Sequence, residues 1–520
     1  MGLSNTKLIA QLAGKAARAA FDRTREALDP DRLLQLSMEG LIDTARTRHE
    51  SAPSPRWRAG EPLKLLFAGY VGTRNTGADV RVEEMIRQFR HLFGDEHADL
   101  SILTIDPQKT RGYFKTVKQL HIPQVFPKFL FDSVRTQHGV IACEGSMFKS
   151  KFASALSTMM VGALGLAGAE EKIAVGYGGE AGAMDAGLEA LIRRTMADRA
   201  LVLTRNPESS AILDRLGVAT RDGTDTAWTF EGAPRALAEK LLSRAGWDGR
   251  TPVVAICPIH PFWWPVRPAP LKAAVHGLTG AYEKSHYESI YFHESGPEVD
   301  ERFARYLGAL AGAVDDFRRK HDVFPIVIGM EALDRLACER LAELLGARPG
   351  VDRPPIFVAD EHDMFEMVGL LRRTSLIVSS RYHALVCSMP AAVPSVGVTM
   401  DERIRNLMRD RDQRELALEV DDPSLDESLL AAMEQAWSEG DAMRTKIERC
   451  VAANLVRQGE MGMHLVDHVR GHHPRFPFAR ELGSSETGGA GDPLAHLPPL
   501  AARQREILER FAVVRPGVAT

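Results

Sequence analysis

Short apolar runs, each followed by a longer stretch with helical periodicity, recur along most of this chain. Leu63-Lys-Leu-Leu-Phe-Ala68 is the first, and it stops at Gly69. Ser101–Ile105, Gly139–Cys143, Lys172–Val175 and Ala200–Thr204 repeat it, and Val80–Phe93, Ser150–Leu166, Gly187–Ala197 and Pro207–Leu216 carry the helical pattern between them. Runs that are apolar on both faces belong to buried strands. Alternation with helices means a mostly parallel sheet covered on both sides. After a break at Gly246-Trp-Asp-Gly-Arg-Thr-Pro252 the pattern restarts. Strands are predicted at Val253–Cys257, Pro325–Gly329, Ile356–Val358, Leu376–Ser379 and Ser395–Val398, with helices over Asp300–His321, Leu333–Leu345 and His383–Met389. The fold class is therefore α/β, with two doubly wound domains in tandem. In such sheets ligands bind at the carboxyl ends of the strands.

The domain boundaries follow from where this pattern starts and stops. Residues 1–60 form a helical extension, 61–245 the first domain, 246–470 the second, and 471–520 a flexible tail rich in Gly, Ser and Pro. Leu500–Val513 is amphipathic enough to close that tail with a short helix. In the extension, Leu8, Ile9, Leu12, Ala16 and Ala20 share a helical face, with Lys7, Lys15, Arg18 and Arg23 mostly elsewhere. Asp29-Pro30 opens a second helix through Leu33, Leu34, Leu36 and Leu41. A basic helix of this kind suits a peripheral membrane contact; packing on the main body is the simpler reading.

Composition excludes several classes. The 520 residues carry 65 Lys+Arg and 69 Asp+Glu, a net −4, which argues against nucleic acid as a partner held by bulk charge. Cys143, Cys257, Cys338, Cys387 and Cys450 are scattered without a CxxC pair. That excludes a disulfide scaffold and a thiolate zinc knuckle, and fits a cytoplasmic protein. Phe152–Ala169 carries no charge, but its serines and glycines mark a buried helix rather than a membrane span.

Two stretches sit where ligands bind. Gly69-Tyr-Val-Gly-Thr-Arg-Asn-Thr-Gly-Ala-Asp79 joins a strand to a helix. Its Gly72 and Gly77 allow a tight turn, Asn75 can hold it, Asp79 can cap the helix or contact a hydroxyl, and the helix N-terminus offers amides to an anion. It is neither GxGxxG nor GxxxxGK[ST], so no dinucleotide or Walker-type site follows. Ser379-Ser-Arg-Tyr-His-Ala384 ends a strand and opens a helix. There Ser380 lines the turn, Arg381 offers a planar fork to a carboxylate or phosphate, and His383 can exchange a proton near neutral pH.

The run Leu376-Ile-Val-Ser-Ser-Arg-Tyr-His-Ala-Leu-Val386, with Ala392-Val-Pro-Ser-Val-Gly-Val398, resembles the signature of the polysaccharide pyruvyl transferase family. Asn75–Asp79 resembles its N-terminal motif, Thr204-Arg-Asn-Pro-Glu-Ser-Ser210 with Leu216-Gly-Val218 its middle segment, and Asp225-Thr-Ala-Trp-Thr-Phe230 the element that follows. The resemblance covers about residues 63–415. It implies two Rossmann-like domains in a glycosyltransferase-B-like arrangement, and transfer of pyruvate from phosphoenolpyruvate to a sugar as a ketal. Arg381 would bind the donor's carboxylate or phosphate. His383 would protonate the methylene carbon or stabilise the leaving phosphate, and Arg205 would add an anion contact. The partners expected are phosphoenolpyruvate and a glycan acceptor. No metal or other cofactor is required, because fixed cations can hold the charge. Two departures bear on the acceptor side. Ala78 intervenes before Asp79, and the family's glycine run is here Cys143-Glu-Gly-Ser146, where Glu144 stands as a candidate base.

Other readings use other residues. A nucleotide-sugar glycosyltransferase would share the architecture, with Asp401-Glu402 offering a carboxylate. The stretch His260-Pro-Phe-Trp-Trp-Pro-Val-Arg267 suits stacking on a sugar, with His260 and Arg267 as contacts. His464, His468, His472 and His473 have helical spacing for a metal, yet no Glu-x-x-His accompanies them. A chain that keeps the fold but only binds is the non-enzymatic reading.

Overall fold

The computed structural model describes residues 29–196, 200–281, 289–347, 352–479 and 491–511. Its first sheet has seven parallel strands, β1 (Leu63–Ala68), β2 (Ala98–Thr104), β3 (Lys118–His121), β4 (Gly139–Ala142), β5 (Ile173–Gly179), β6 (Leu201–Thr204) and β7 (Thr220–Asp222). Their spatial order is β3-β2-β1-β4-β5-β6-β7. The second block begins with β8 (Val253–Cys257), and a small antiparallel hairpin of β9 (Arg267–Pro268) and β10 (Tyr291–Phe292) follows it. β11 (Phe324–Gly329), β12 (Ile356–Val358), β13 (Leu376–Ser379), β14 (Ser395–Thr399) and β15 (Ala417–Glu419) then complete a six-stranded parallel sheet, ordered β12-β11-β8-β13-β14-β15. Both sheets reverse their winding beside the first strand, between β1 and β4 and between β8 and β13. A doubly wound sheet opens a crevice at each such point. One continuous apolar core runs through both domains, from Leu63 and Phe89 to Ile326 and Val396.

The long apolar strands match the expected ranges closely. β3, β7, β15 and the hairpin were not anticipated. They are short and partly exposed, so they lack the apolar run that marks a central strand.

The extension differs from expectation in its buried face. The helix Pro30–Ser51 buries Gln35, Met38, Ile42, Ala45 and His49, while Leu33 and Leu36 stay 50% and 46% exposed. Glycines on the facing helix, Ser154–Ala169, decide this. A Cβ at Gly162 would lie 2.6 Å from Met38 Cε, and one at Gly165 2.7 Å from Ile42 Cδ1. Gln35 Nε2 also donates to Ser154 Oγ (3.2 Å) and Asp185 Oδ1 (3.0 Å). The earlier predicted helix, over residues 6–28, lies outside the described residues. Ser154–Ala169 itself is a core helix, buried except at Leu156. Among the described residues no helix is long and apolar enough to cross a membrane.

The helix Gly440–His472 returns to the first domain, where Met461 packs on Gly178 and Gly223. Residues 491–511 lie along it. Gln88 Nε2 donates to the carbonyls of Gln458 and His496, and Gln504 Nε2 to that of Trp228. The expected terminal helix is present as Ala502–Arg510, with Ile507 buried.

Candidate active site

A cavity of about 130 Å³ lies between the carboxyl edges of the two sheets. Asn75, Gly77, Glu144, Ser380, Arg381 and His383, all expected at a site, line it together. Tyr70, Trp264, His293, Glu331, Tyr382 and Arg403 join them.

The first wall is the turn after β1. Gly72 has φ +90°, and a Cβ there would sit 2.5 Å from Thr104 Oγ1 and 2.6 Å from Asp106 N, so only glycine lets the turn fold onto the end of β2. Asn75 is the N-cap of the helix Thr76–Phe93, its side chain accepting from Ala78 N at 3.1 Å. The helix thus starts at Thr76, not at Val80. Asp79 is neither cap nor hydroxyl contact. It is buried in the first turn with Oδ1 unpartnered among the described residues, and burial pushes its carboxyl well above the usual range. Thr76 N donates to Met330 O of the second domain (2.8 Å), whereas the Gly77 N–H has no acceptor among the described residues.

His383 is set against that N-terminus. Arg381 is the N-cap of the helix Tyr382–Ser388, which carries the imidazole across the cleft. A Cβ on Gly77 would fall 2.2 Å from His383 Nδ1, so the glycine makes room for the ring. On the other side, His383 Nε2 lies 3.3 Å from Asp225 Oδ2. An ionised carboxylate only accepts, so Nε2 carries the hydrogen and Nδ1 is the side free to exchange a proton. Burial lowers the pKa of His383, with Asp225 pulling it the other way.

Asp225 is fully buried and also faces Arg81 Nε at 3.2 Å and Arg205 Nη1. Burial alone would raise its pKa, but Arg81, His383 and Arg205 hold it well below the usual carboxylate range. Arg205 extends the cluster to Glu180 (3.0 Å), and Lys149 bonds the same carboxylate (2.8 Å) and reaches across the cleft to Glu402. Arg205 therefore stands behind the site as a buried counter-ion rather than on its surface.

Arg381 is similarly committed. Its Nε donates to Asp334 Oδ2 (2.8 Å) and its Nη2 to Glu331 Oε2 (2.9 Å). Glu331 is also bonded by Tyr70 Oη (3.2 Å) and Asn75 Nδ2 (3.1 Å) of the first domain. Burial raises the pKa of both Glu331 and Asp334, with Arg381 opposing it. Much of the fork expected for an anion is thus spent on this pair.

Glu144 follows β4. Its Oε1 accepts from Gly145 N (2.7 Å) and lies 3.9 Å from Arg81, while Oε2 is unpartnered among the described residues. Ser380 Oγ is paired with Tyr306 Oη at 2.8 Å. His260 and Arg267 are not in the cavity wall. His260 is stacked on Trp263 (4.3 Å) with its pKa pushed down to about 4 by burial, and Arg267 is exposed and paired with Glu294 (3.2 Å). Their place is taken by Trp264 and His293. Sequence reading missed Arg81, Lys149, Glu180 and Glu331. A buried charged residue in an apolar stretch was the available signal for Arg81 alone, since the others look like ordinary surface residues until the chain is folded. Among the described residues no three His, Cys, Asp or Glu side chains are placed to hold a metal, the histidines of 464–473 included.

No family model matches this chain, and no curated protein matches it. Solved structures of similar arrangement include UDP-GlcNAc 2-epimerase from Methanocaldococcus jannaschii, at 10% identity and TM-score 0.45 over 72% of this chain and 92% of that one. UDP-GlcNAc 2-epimerase from Neisseria meningitidis bound to UDP-GlcNAc gives 10% and 0.44, over 74% and 94%. A glycosyl transferase of family 9 from Veillonella parvula gives 11% and 0.38, over 74% and 100%.

Proposed function

We propose that this chain is a transferase that modifies a sugar, with an anionic donor held in the interdomain cavity beside His383. One observation carries the reading: the imidazole lies against Gly77 in the first turn of the helix Thr76–Phe93, and both line the interdomain cavity. An anion there gains the helix dipole and a hydrogen bond, and a neighbouring imidazole can give or take its proton.

For the donor, the Arg-Tyr-His-Ala resemblance supports phosphoenolpyruvate. Its phosphate would sit at Gly77. His383, protonated with help from Asp225, would supply the proton to the methylene carbon. A sugar hydroxyl would add to the resulting cation as Glu144 Oε2 takes its proton. Phosphate would leave as a second hydroxyl adds to close the ketal, its proton passing to the neutral His383 left by the first step. Arg381 enters this scheme through Glu331 and Asp334, positioning the cleft wall. A nucleoside-diphosphate sugar is the second reading. It is favoured by Glu402 on the first turn of the helix after β14 and by Trp264 in the wall.

Calorimetry with phosphoenolpyruvate, UDP and UDP-sugars against wild type and His383→Gln separates the two. Phosphoenolpyruvate binding that weakens in His383→Gln is the expected result. Binding of UDP compounds alone would replace the first reading by the second, and no anion binding at all would overturn both.

A further inference from the structure

A second groove, of about 670 Å³, leads out of the cavity, and Tyr70, Ala153, Leu156 and Val266 line both. Its floor and walls are mainly apolar: Ile105, Ile122 and Phe126 from the carboxyl edge of β2 and β3, Met159 from the core helix, and Ile290 before β10. Strand β9 leads on into the helix Pro270–Thr279, which buries none of its residues. Lys272 and His276 pack on Phe292 of β10 (4.4 and 5.1 Å), while Leu271, Val275 and Leu278 point outward, 81%, 50% and 89% exposed. Val125, next to groove residue Phe126, is 76% exposed on the other rim. A water-facing helix normally hides such a stripe.

We propose that the groove holds an alkyl chain attached to the acceptor sugar, and that the Leu271–Leu278 face rests on the lipid phase from which that acceptor comes. The inference rests on the reading of the cavity as a sugar-transfer site and names its acceptor class. Continuity decides the occupant: whatever fills the groove ends in the cavity, so it is the apolar end of a molecule whose polar end is there. A second copy of the chain would cover the helix face but not enter the groove. A lipid-borne sugar uses both.

The test needs no donor and no turnover. Binding of methyl, hexyl and dodecyl maltosides, below their micelle thresholds, is compared by calorimetry. Affinity is expected to rise about 100-fold or more from methyl to dodecyl, since each buried methylene adds to transfer. The half-buried pair Ile105→Gln with Ile290→Gln should abolish that rise while leaving the melting temperature and methyl maltoside binding as they were. No dependence on chain length, or the same dependence in the double variant, overturns the groove assignment. The full-length chain should also sediment with phosphatidylcholine–phosphatidylglycerol vesicles, and Leu271→Ser/Val275→Ser/Leu278→Ser should not. Unchanged sedimentation overturns the lipid contact. So does a change in molecular mass of the triple variant without vesicles, which would make the face a contact between copies. His383→Gln should keep the rise in affinity with chain length and the sedimentation with vesicles, whatever it does to donor binding, so failure of the donor reading is seen separately.

Discussion

Asp225 faces Arg81, Arg205 and His383 through one oxygen, and it does a different thing for each. For Arg81 and Arg205 it is the counter-ion that makes their burial tolerable; for His383 it fixes which nitrogen carries the hydrogen. Asp225→Asn keeps the shape and removes the charge. Leaving two buried guanidinium groups short of a partner should cost about 3–5 kcal/mol of stability, read as a lower urea midpoint. Losing the carboxylate also removes what supports protonated His383, so turnover with the donor found by calorimetry should fall by about 100-fold or more. Gly77→Ala separates site from scaffold. Alanine is the better helix former, yet its Cβ claims the space of His383 Nδ1. Donor affinity should fall about 10–100-fold, beside an overpacking cost of about 1–3 kcal/mol in stability; unchanged affinity would remove the helix N-terminus from the site. The sequence shows Arg381, His383, Asn75 and Gly77 because a strand end followed by polar residues and glycine is visible locally. It hides Glu331, Glu180 and Lys149, whose meaning comes from partners far away in the chain.

At the level of elements, glycine decides where helices can approach. Ten of the fifteen strands among the described residues were legible as apolar runs, and so was the helix Ala502–Arg510. What was not legible is where that helix docks. A Cβ on Gly459 would lie 2.1 Å from Pro493 O and 2.6 Å from its carbonyl carbon, so the helix Gly440–His472 and the segment from 491 touch backbone to backbone. Gly459→Val should push the terminal segment off and cost about 1–3 kcal/mol. Limited proteolysis should then release that segment faster than in wild type, while the two sheets stay resistant. Equal cleavage rates would show that the docking tolerates a side chain. The Pro30–Ser51 helix teaches the same lesson from the other side. Its leucines suggested one face, but Gly162 and Gly165 on a neighbour selected the face of Met38 and Ile42.

Taken whole, the first domain uses its two ends for different tasks. The carboxyl edges of its strands meet the second domain at the cavity; the region before β4 and β5 fastens the chain's outlying segments. There Trp57 packs on His473 (5.5 Å) and Phe476 (5.3 Å), and His138 accepts from Lys64 N (3.0 Å). His472 and His468, near the end of the long helix, meet edge to face (4.8 Å). Burial pushes His138, His468 and His473 down from 6.5 to about 4. The folded chain keeps these rings neutral where the unfolded chain protonates them. Each therefore costs stability as pH falls from about 6.5 toward 4, and costs nothing further below 4, where both states are protonated. Buried carboxyls with raised pKa values, Glu84 and Asp31 at about 6 among them, act in the opposite direction over the same range, because the fold takes up their protons first. The total slope of stability with pH thus mixes the two, and a difference between variants isolates the histidines. In His138→Asn/His468→Asn/His473→Asn the carboxyl contribution is retained and the histidine contribution is gone. Urea unfolding of this variant should lose less stability than wild type between pH 6.5 and 4.5, and the two curves should run parallel above pH 7.5. Parallel curves throughout would mean that these rings take up protons in the fold as readily as in the unfolded chain. The packing of Trp57 and the long helix against the amino edge would then have to tolerate charge.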